Sequence, residues 1–351
     1  MKLFKLQVTY IYIFYILNVG GIMLKRKISF ILISIVLVVA TLVTFNLNKD
    51  DNNTLKEITV AEVTHSVFYT PFYVAIENGY FKDLGIDINL LLTPGADKVS
   101  AAVLSGDAEV GLAGAESAIY IYKENKDDYL QIFSGLTAKD GQFIVSRKKM
   151  KNFEVKDLIG KEVLAGRSTG MPALNFINSL DNFGVNKKDV NINTSIDFAA
   201  LSGAFIGGQG DYVNLFEPTA TFLEKQGYGY IVASVGDLSG EVPYTTFYSK
   251  KSYLDNNKDI LINFTSAINK GIEYTLNNDS KKIARDIISQ FPDLNINDLS
   301  LMIQRYKESK SWLEDPYVTE KTFENLEDFL VKFDLLKDTG LYNKVVYNLY
   351  E

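Results

Sequence analysis

From residue 56 onward, short apolar runs alternate with amphipathic stretches, and this alternation leaves few folds open. Ile58–Val63 reads as a strand and Pro71–Asn78 as a helix stopped by Gly79. Ile86–Leu92 is a strand, Ala96–Leu104 a helix closed by Ser105-Gly106, and Val110–Ala113 a strand. Ala115–Glu124 is helical, and Leu130–Leu136 and Gln142–Ser146 follow as strands. A second set then begins, with strands at Glu162–Ala165, Val190–Thr194, Tyr212–Phe216, Tyr230–Ala233 and Thr246–Ser249. Between them lie helices at Pro172–Asn182, Ala199–Phe205 and Thr219–Gln226. From Asn263 the pattern is helical, broken at Pro292 and Pro316. Helices rather than tight hairpins join most strands, so the expectation is an α/β fold with largely parallel sheets.

The 351 residues exceed one average core, which points to two compact lobes. An internal echo supports two related halves. EVGLAGAE in the first set and DYVNLFEP in the second both read as an acidic residue, a buried strand, then a carboxylate at the next helix start, Glu116 or Glu217. Composition narrows the function. The net charge is −7 and no long Lys/Arg block follows residue 30, so a nucleic-acid partner is not expected. Cysteine is absent and His65 is the sole histidine. That inventory excludes disulfides and thiolate chemistry and is poor for zinc or a catalytic triad. No catalytic residue, metal or cofactor is expected.

The N-terminus bears on location. Ile28–Leu47 is twenty residues without a charge, preceded by Lys25-Arg26-Lys27. Its length suits a membrane span with its N-terminal side in the cytoplasm. An uncleaved anchor fits better than a secretory signal peptide, although Val38-Val39-Ala40 is an acceptable cleavage site. Residues 1–47 are thus read as an export signal or membrane anchor, with Met23 an alternative start, and 48–56 as a polar linker.

In open α/β sheets ligands bind beyond the carboxyl ends of the strands, where helix N-termini converge. Four segments hold that position, and their side chains supply the candidate binding residues Tyr69, Thr70, Tyr73, Glu116, Ser117, Arg167, Ser168, Thr169 and Glu217. Glu116 and Glu217 suit a cationic or amino-bearing ligand, while Tyr69 and Tyr73 offer faces for a flat one. Acidic residues in a first helical turn also simply offset the helix dipole. Gly166–Gly170 with Arg167 is an anion-friendly loop before a helix, but it lacks the spacing of a P-loop or dinucleotide fingerprint. His65 reads as a capping or solvent-facing residue, and Trp312 as structural.

YTPFYVAIENGYF at Tyr69–Phe81, with Leu84–Ile88, Ala102–Gly111, Asp157–Lys161 and Phe216-Glu217-Pro218, resembles the solute-binding proteins for sulfonates, taurine, nitrate and thiamine pyrimidine precursors. The resemblance covers residues 57–351 and implies a two-lobe Venus-flytrap of the type II periplasmic-binding-protein class. By it the chain crosses to the second lobe near Phe143–Arg147 and returns near Thr245–Lys250. That gives 57–146 plus 246–351 as lobe 1 and 147–245 as lobe 2. It further implies a monomeric, non-enzymatic receptor at the extracytoplasmic face of the cell membrane. Such a receptor closes on a small-molecule ligand and serves an ABC permease and ATPase on separate chains. Two cleft carboxylates favour a neutral or cationic heteroaromatic, such as a thiamine pyrimidine precursor, over a sulfonate or nitrate. Related pyrimidine synthases rely on a histidine and a cysteine-rich motif. Position 69, where they place histidine, is tyrosine here, and there is no cysteine.

Overall fold

A computed structural model describes residues 55–349 apart from 125, 126 and 169. Ten strands form two five-stranded sheets: β1 Lys56–Glu62, β2 Ile86–Leu92, β3 Val110–Gly114, β4 Leu130–Gly135, β5 Phe143–Ser146, β6 Glu162–Leu164, β7 Asn191–Asn193, β8 Tyr212–Leu215, β9 Tyr230–Ser234 and β10 Thr245–Lys250. The first helices are α1 Thr70–Glu77, α2 Ala96–Ser105, α3 Glu116–Lys123, α4 Met171–Asn182, α5 Leu201–Ile206, α6 Thr219–Lys225 and α7 Val235–Ser239. The C-terminal run comprises α8 Lys251–Asn256, α9 Lys258–Asn277, α10 Ser280–Ile287, α11 Ile296–Glu308, α12 Glu320–Lys332 and α13 Tyr342–Val345.

The first sheet runs β2-β1-β3-β10-β4 and the second β7-β6-β8-β5-β9. Both repeat one order. The internal echo has a physical basis at the third strand of each: the Glu109 carboxylate accepts from the Thr59 amide at 2.8 Å, and Asp211 accepts from the Glu162 amide at 3.0 Å. Each acid ties the start of a third strand to its sheet's first strand.

The sheets are mixed, not largely parallel. β1 pairs β2 and β3 in parallel, but β10 is antiparallel to both β3 and β4. Likewise β6 pairs β7 and β8 in parallel, while β5 is antiparallel to β8 and β9. The cause lies in the route of the chain. β5 and β10 are the first strands after each passage between sheets, and each inserts from the far side, against the direction set by the local helical crossovers. The periodicity of an isolated strand carries no trace of this.

The two passages, 136–142 and 235–244, precede the strands at which the resemblance places the crossings. They run side by side: the Tyr244 amide donates to the Thr137 carbonyl at 3.1 Å and the Val242 amide to the Ala138 carbonyl at 2.9 Å. The Trp312 indole N–H donates to the Phe68 carbonyl at 2.8 Å, an anchor for the loop before α1. Among the described residues no helix is long and apolar enough to cross a membrane. Ile28–Leu47 lies outside the described residues.

Helix α9 buries Leu261, Phe264, Ile268, Ile272 and Thr275 along one stripe, and that face packs on α1. Gly271 sits where the helices meet, and a Cβ there would come within 2.2 Å of the Pro71 carbonyl oxygen. Gly271→Ala should therefore destabilise the protein by about 1–3 kcal/mol, despite alanine's better helix propensity. Chemical denaturation with unchanged slope checks this, and a variant as stable as the parent would contradict the close approach.

Candidate functional site

The loops after β1 and β8 meet beyond the strand ends. The Ser66 hydroxyl accepts from the Phe68 amide at 3.2 Å and donates to the Glu217 carbonyl at 2.6 Å, joining the loop after β1 to the loop after β8. Behind them four aromatic rings pack as one cluster. Phe68 lies 5.4 Å from Phe216, 5.8 Å from Tyr69 and 5.9 Å from Tyr244 between ring centroids. Gly141 gives Phe68 its place, since a Cβ at 141 would come within 2.4 Å of that ring.

Two buried carboxyls lie near this cluster, and both act on the Tyr244 hydroxyl. Glu116 opens α3, is 4% exposed, and its carboxyl lies near the Met171 amide at the start of α4. Its Oε2 is buried with no partner. Burial pushes its carboxyl up to about 7, against the pull of the Met171 and Glu116 amides. Asp140, on the first passage between sheets, is fully buried. Its Oδ1 accepts from the Gln142 amide at 2.6 Å, while Oδ2 has no partner. Burial pushes it up to about 8. The Tyr244 hydroxyl, on the second passage, feels the charges of Asp140, Glu116 and Tyr69 and is driven well above the usual phenol range, chiefly by burial. It approaches Asp140 without completing a hydrogen bond, so neither oxygen is satisfied. Buried polar atoms are normally paired, so three unpartnered oxygens beside one aromatic cluster make this the candidate site.

The residues expected from sequence divide among three places. Tyr69 belongs to the aromatic cluster and Glu116 lies near it, with Tyr69 near Thr245 and its phenol raised mainly by burial. Ser117 is buried beside Tyr248. Thr70, Tyr73 and Glu217 are engaged by the protein itself. The Thr70 hydroxyl donates to the Val67 carbonyl at 2.6 Å, and the Tyr73 hydroxyl donates to Glu62 Oε2 at 2.7 Å. Glu217 Oε1 meets Arg305 at 2.7 Å and the Thr221 hydroxyl at 2.8 Å, while Oε2 accepts from the Thr221 amide at 2.9 Å. It caps α6 and pairs with a cation. Arg167 and Ser168 are exposed, with Arg167 bridging Asp97 at 3.3 Å and Asp197 at 3.2 Å. Thr169 lies outside the described residues.

His65 is not a helix cap, and its ring is partly exposed with both nitrogens engaged. Its Nδ1 contacts Glu62 at 2.7 Å and its Nε2 the Gln290 carbonyl at 2.9 Å. Phe68 and Phe216 stand in two of the four segments expected at the site, though not among the candidate side chains, while Asp140 and Tyr244 lie outside those segments. For Asp140 the available signal was a lone Asp-Gly pair between two apolar runs. Among the described residues, no group of three or more His, Asp or Glu is arranged to hold a metal.

The two raised carboxyls bear on stability. Each binds its proton more tightly folded than unfolded, where ordinary values lie near about 4. Their contribution is therefore complete below about pH 4 and is lost as pH rises through about 7 to 8. Thermal midpoints of the ligand-free protein from pH 5 to 9 should fall along this limb, and a Glu116→Gln, Asp140→Asn double variant should flatten it. An equal slope in both proteins would contradict the assignment.

A family model described as NMT1/THI5 like matches residues 67–281, more than half of the chain. The chain belongs to the NMT1/THI5-like family. It is also 40% identical over 299 residues to "Putative binding protein YtlA" of Bacillus subtilis, covering 84% of this chain and 88% of that protein. Among solved structures it is similar to the alkanesulfonate-binding protein SsuA from Xanthomonas axonopodis, bound to MOPS. That likeness has a TM-score of 0.65 and 16% identity over 83% of this chain and 98% of the other. It is similar also to the periplasmic nitrate-binding protein NrtA from Synechocystis, with a TM-score of 0.57 and 14% identity over 70% and 69%. At these identities the likeness establishes the two-lobe fold. These relatives are named as binding proteins, not as enzymes.

Proposed function

We propose that this NMT1/THI5-like chain is the extracytoplasmic solute-binding receptor of an ABC importer, and that its ligand is a neutral or cationic nitrogen heteroaromatic such as a thiamine pyrimidine precursor. The observation that carries this reading is the pair of buried, unpartnered oxygens, Glu116 Oε2 and Asp140 Oδ2, beside the rings of Phe68, Tyr69, Phe216 and Tyr244. A ring nitrogen and an exocyclic amine satisfy such carboxyls through charge-assisted bonds, while the aromatic faces take the ring. Asp140 and Tyr244 stand on the passages between sheets, so a ligand that binds them couples its own capture to lobe closure. It shifts the population toward the closed form by its differential affinity.

One chain supplies both sides of the cleft, so the receptor acts as a monomer. It hands its ligand to a permease driven by an ATPase, both on separate chains. Ile28–Leu47 tethers it to the membrane. Cell fractionation tests the tether, and protein found mainly in the medium would sink it.

A thermal-shift screen of the full chain tests the ligand class, with aminopyrimidines and thiamine in one set and sulfonates and nitrate in the other. A ligand at about 100 times its dissociation constant adds about 2.7 kcal/mol of stability. The expected result is a shift with the pyrimidines. A shift with the anions alone would keep the receptor and overturn the heteroaromatic ligand.

A further inference from the structure

We infer that His65 is a proton switch beside the candidate site: as an imidazolium it ties the loop after β1 to the turn Ile288–Gln290, and loss of its proton releases that loop. The switch goes beyond the receptor reading and holds whatever ligand the protein takes.

The geometry calls for a charged ring. His65 Nδ1 lies 2.7 Å from Glu62 Oε1, and Nε2 lies 2.9 Å from the Gln290 carbonyl oxygen. A carbonyl only accepts, and so does an ionised carboxylate, whereas a neutral imidazole has one N–H to give. The Tyr73 hydroxyl does not supply the missing proton. It donates to Glu62 Oε2 at 2.7 Å and so meets Nδ1, at 3.1 Å, as an acceptor. Only the imidazolium serves both partners. Glu62 in turn is 1% exposed, and His65 is the only cation paired with it among the described residues. Burial opposes the charge, but the bond to Glu62, its charge and the Gln290 carbonyl outweigh that and hold the ring's pKa above its ordinary 6.5.

Few groups face the ring. Glu62 comes from the end of β1, Tyr73 from α1, and the Gln290 carbonyl and Phe291 ring from the segment after α10. The ring centroid lies 4.7 Å from that of Tyr73 and 5.1 Å from that of Phe291. A second α1 carboxylate, Glu77, accepts from the Gln290 side chain and not from the imidazole.

The tie acts on the residues that follow. Ser66 bridges to the Glu217 carbonyl at 2.6 Å, and Phe68 sits in the aromatic cluster. Once the proton is lost, one ring nitrogen turns a lone pair toward an acceptor, so the contact with Glu62 or with Gln290 gives way. The stabilisation from His65 is therefore complete below about pH 6.5 and is lost as pH rises through the raised value.

The chain carries one histidine and one tryptophan, so each reports alone. Trp312 donates to the Phe68 carbonyl at 2.8 Å and thereby senses the loop. The test titrates the full chain, free of any histidine tag, from pH 5 to 9, following the His65 ring by NMR and Trp312 by fluorescence. The ring midpoint should lie above that of the same chain in urea, with a fluorescence step at the same pH. That step should vanish in His65→Gln, and the ring midpoint should fall in Glu62→Gln. A ring midpoint at or below the unfolded one overturns the inference, as does a step that persists in His65→Gln. A flat fluorescence trace in the parent makes His65 a fixed ion pair and overturns the switch. If His65→Gln does not fold, the parent's two midpoints decide, and midpoints that differ overturn it.

Discussion

Arg305→Ala should be among the most damaging single substitutions in the protein, at a cost of about 3–5 kcal/mol. Its partner Glu217 has a side chain with no solvent exposure, and Arg305 is its only cationic contact at 2.7 Å among the described residues. The other guanidinium nitrogen holds Glu224 at 2.9 Å. Removing the arginine leaves Glu217 with the Thr221 amide and hydroxyl alone, too few donors for a charge out of water. Glu217→Gln should relieve much of that loss in the double variant, because the uncompensated charge disappears with it. A denaturation midpoint for Arg305→Ala close to the parent's would show that water reaches Glu217.

Asp140→Asn should weaken binding of the heteroaromatic ligand by about 10- to 100-fold, the worth of one charge-assisted hydrogen bond. The fold should tolerate it, since the amide oxygen of asparagine still accepts from Gln142, as Oδ1 does now at 2.6 Å. At pH 8 the variant should be at least as stable as the parent, because it removes a buried carboxyl whose ionisation is disfavoured. Titration calorimetry separates the two effects. Unchanged affinity with raised stability would make Asp140 a burden of the hinge region and not a ligand group.

Much of the architecture was legible in the sequence, because helix and strand periodicities are local. Ile86–Leu92 emerged with the bounds read for it, and α2, α4 and β9 differ from the expected spans by a residue. Strand direction in β5 and β10 was not legible, since it depends on where the chain has come from. The echo between the halves had placed Glu116 and Glu217 at equivalent positions, and topology agrees, with β3 and β8 in matching places. Their chemistry nonetheless diverges. Arg305 arrives from a helix 88 residues further on to neutralise Glu217, and nothing comparable reaches Glu116 Oε2. Local sequence marks where a carboxylate stands on its own strand and helix. Which partner meets it is decided by a segment far away in the chain, and so Asp140 and Tyr244 escaped notice while Tyr73 drew it.

In the proposed receptor, Glu116 Oε2 and Asp140 Oδ2 are held open for a ligand. A crystal structure of the full chain with the tightest-binding compound from the thermal screen tests it most directly. The ring of that compound should lie among Phe68, Phe216 and Tyr244, with its nitrogens within hydrogen-bonding distance of both oxygens. A ligand bound elsewhere, with the two oxygens still unpartnered, would contradict it.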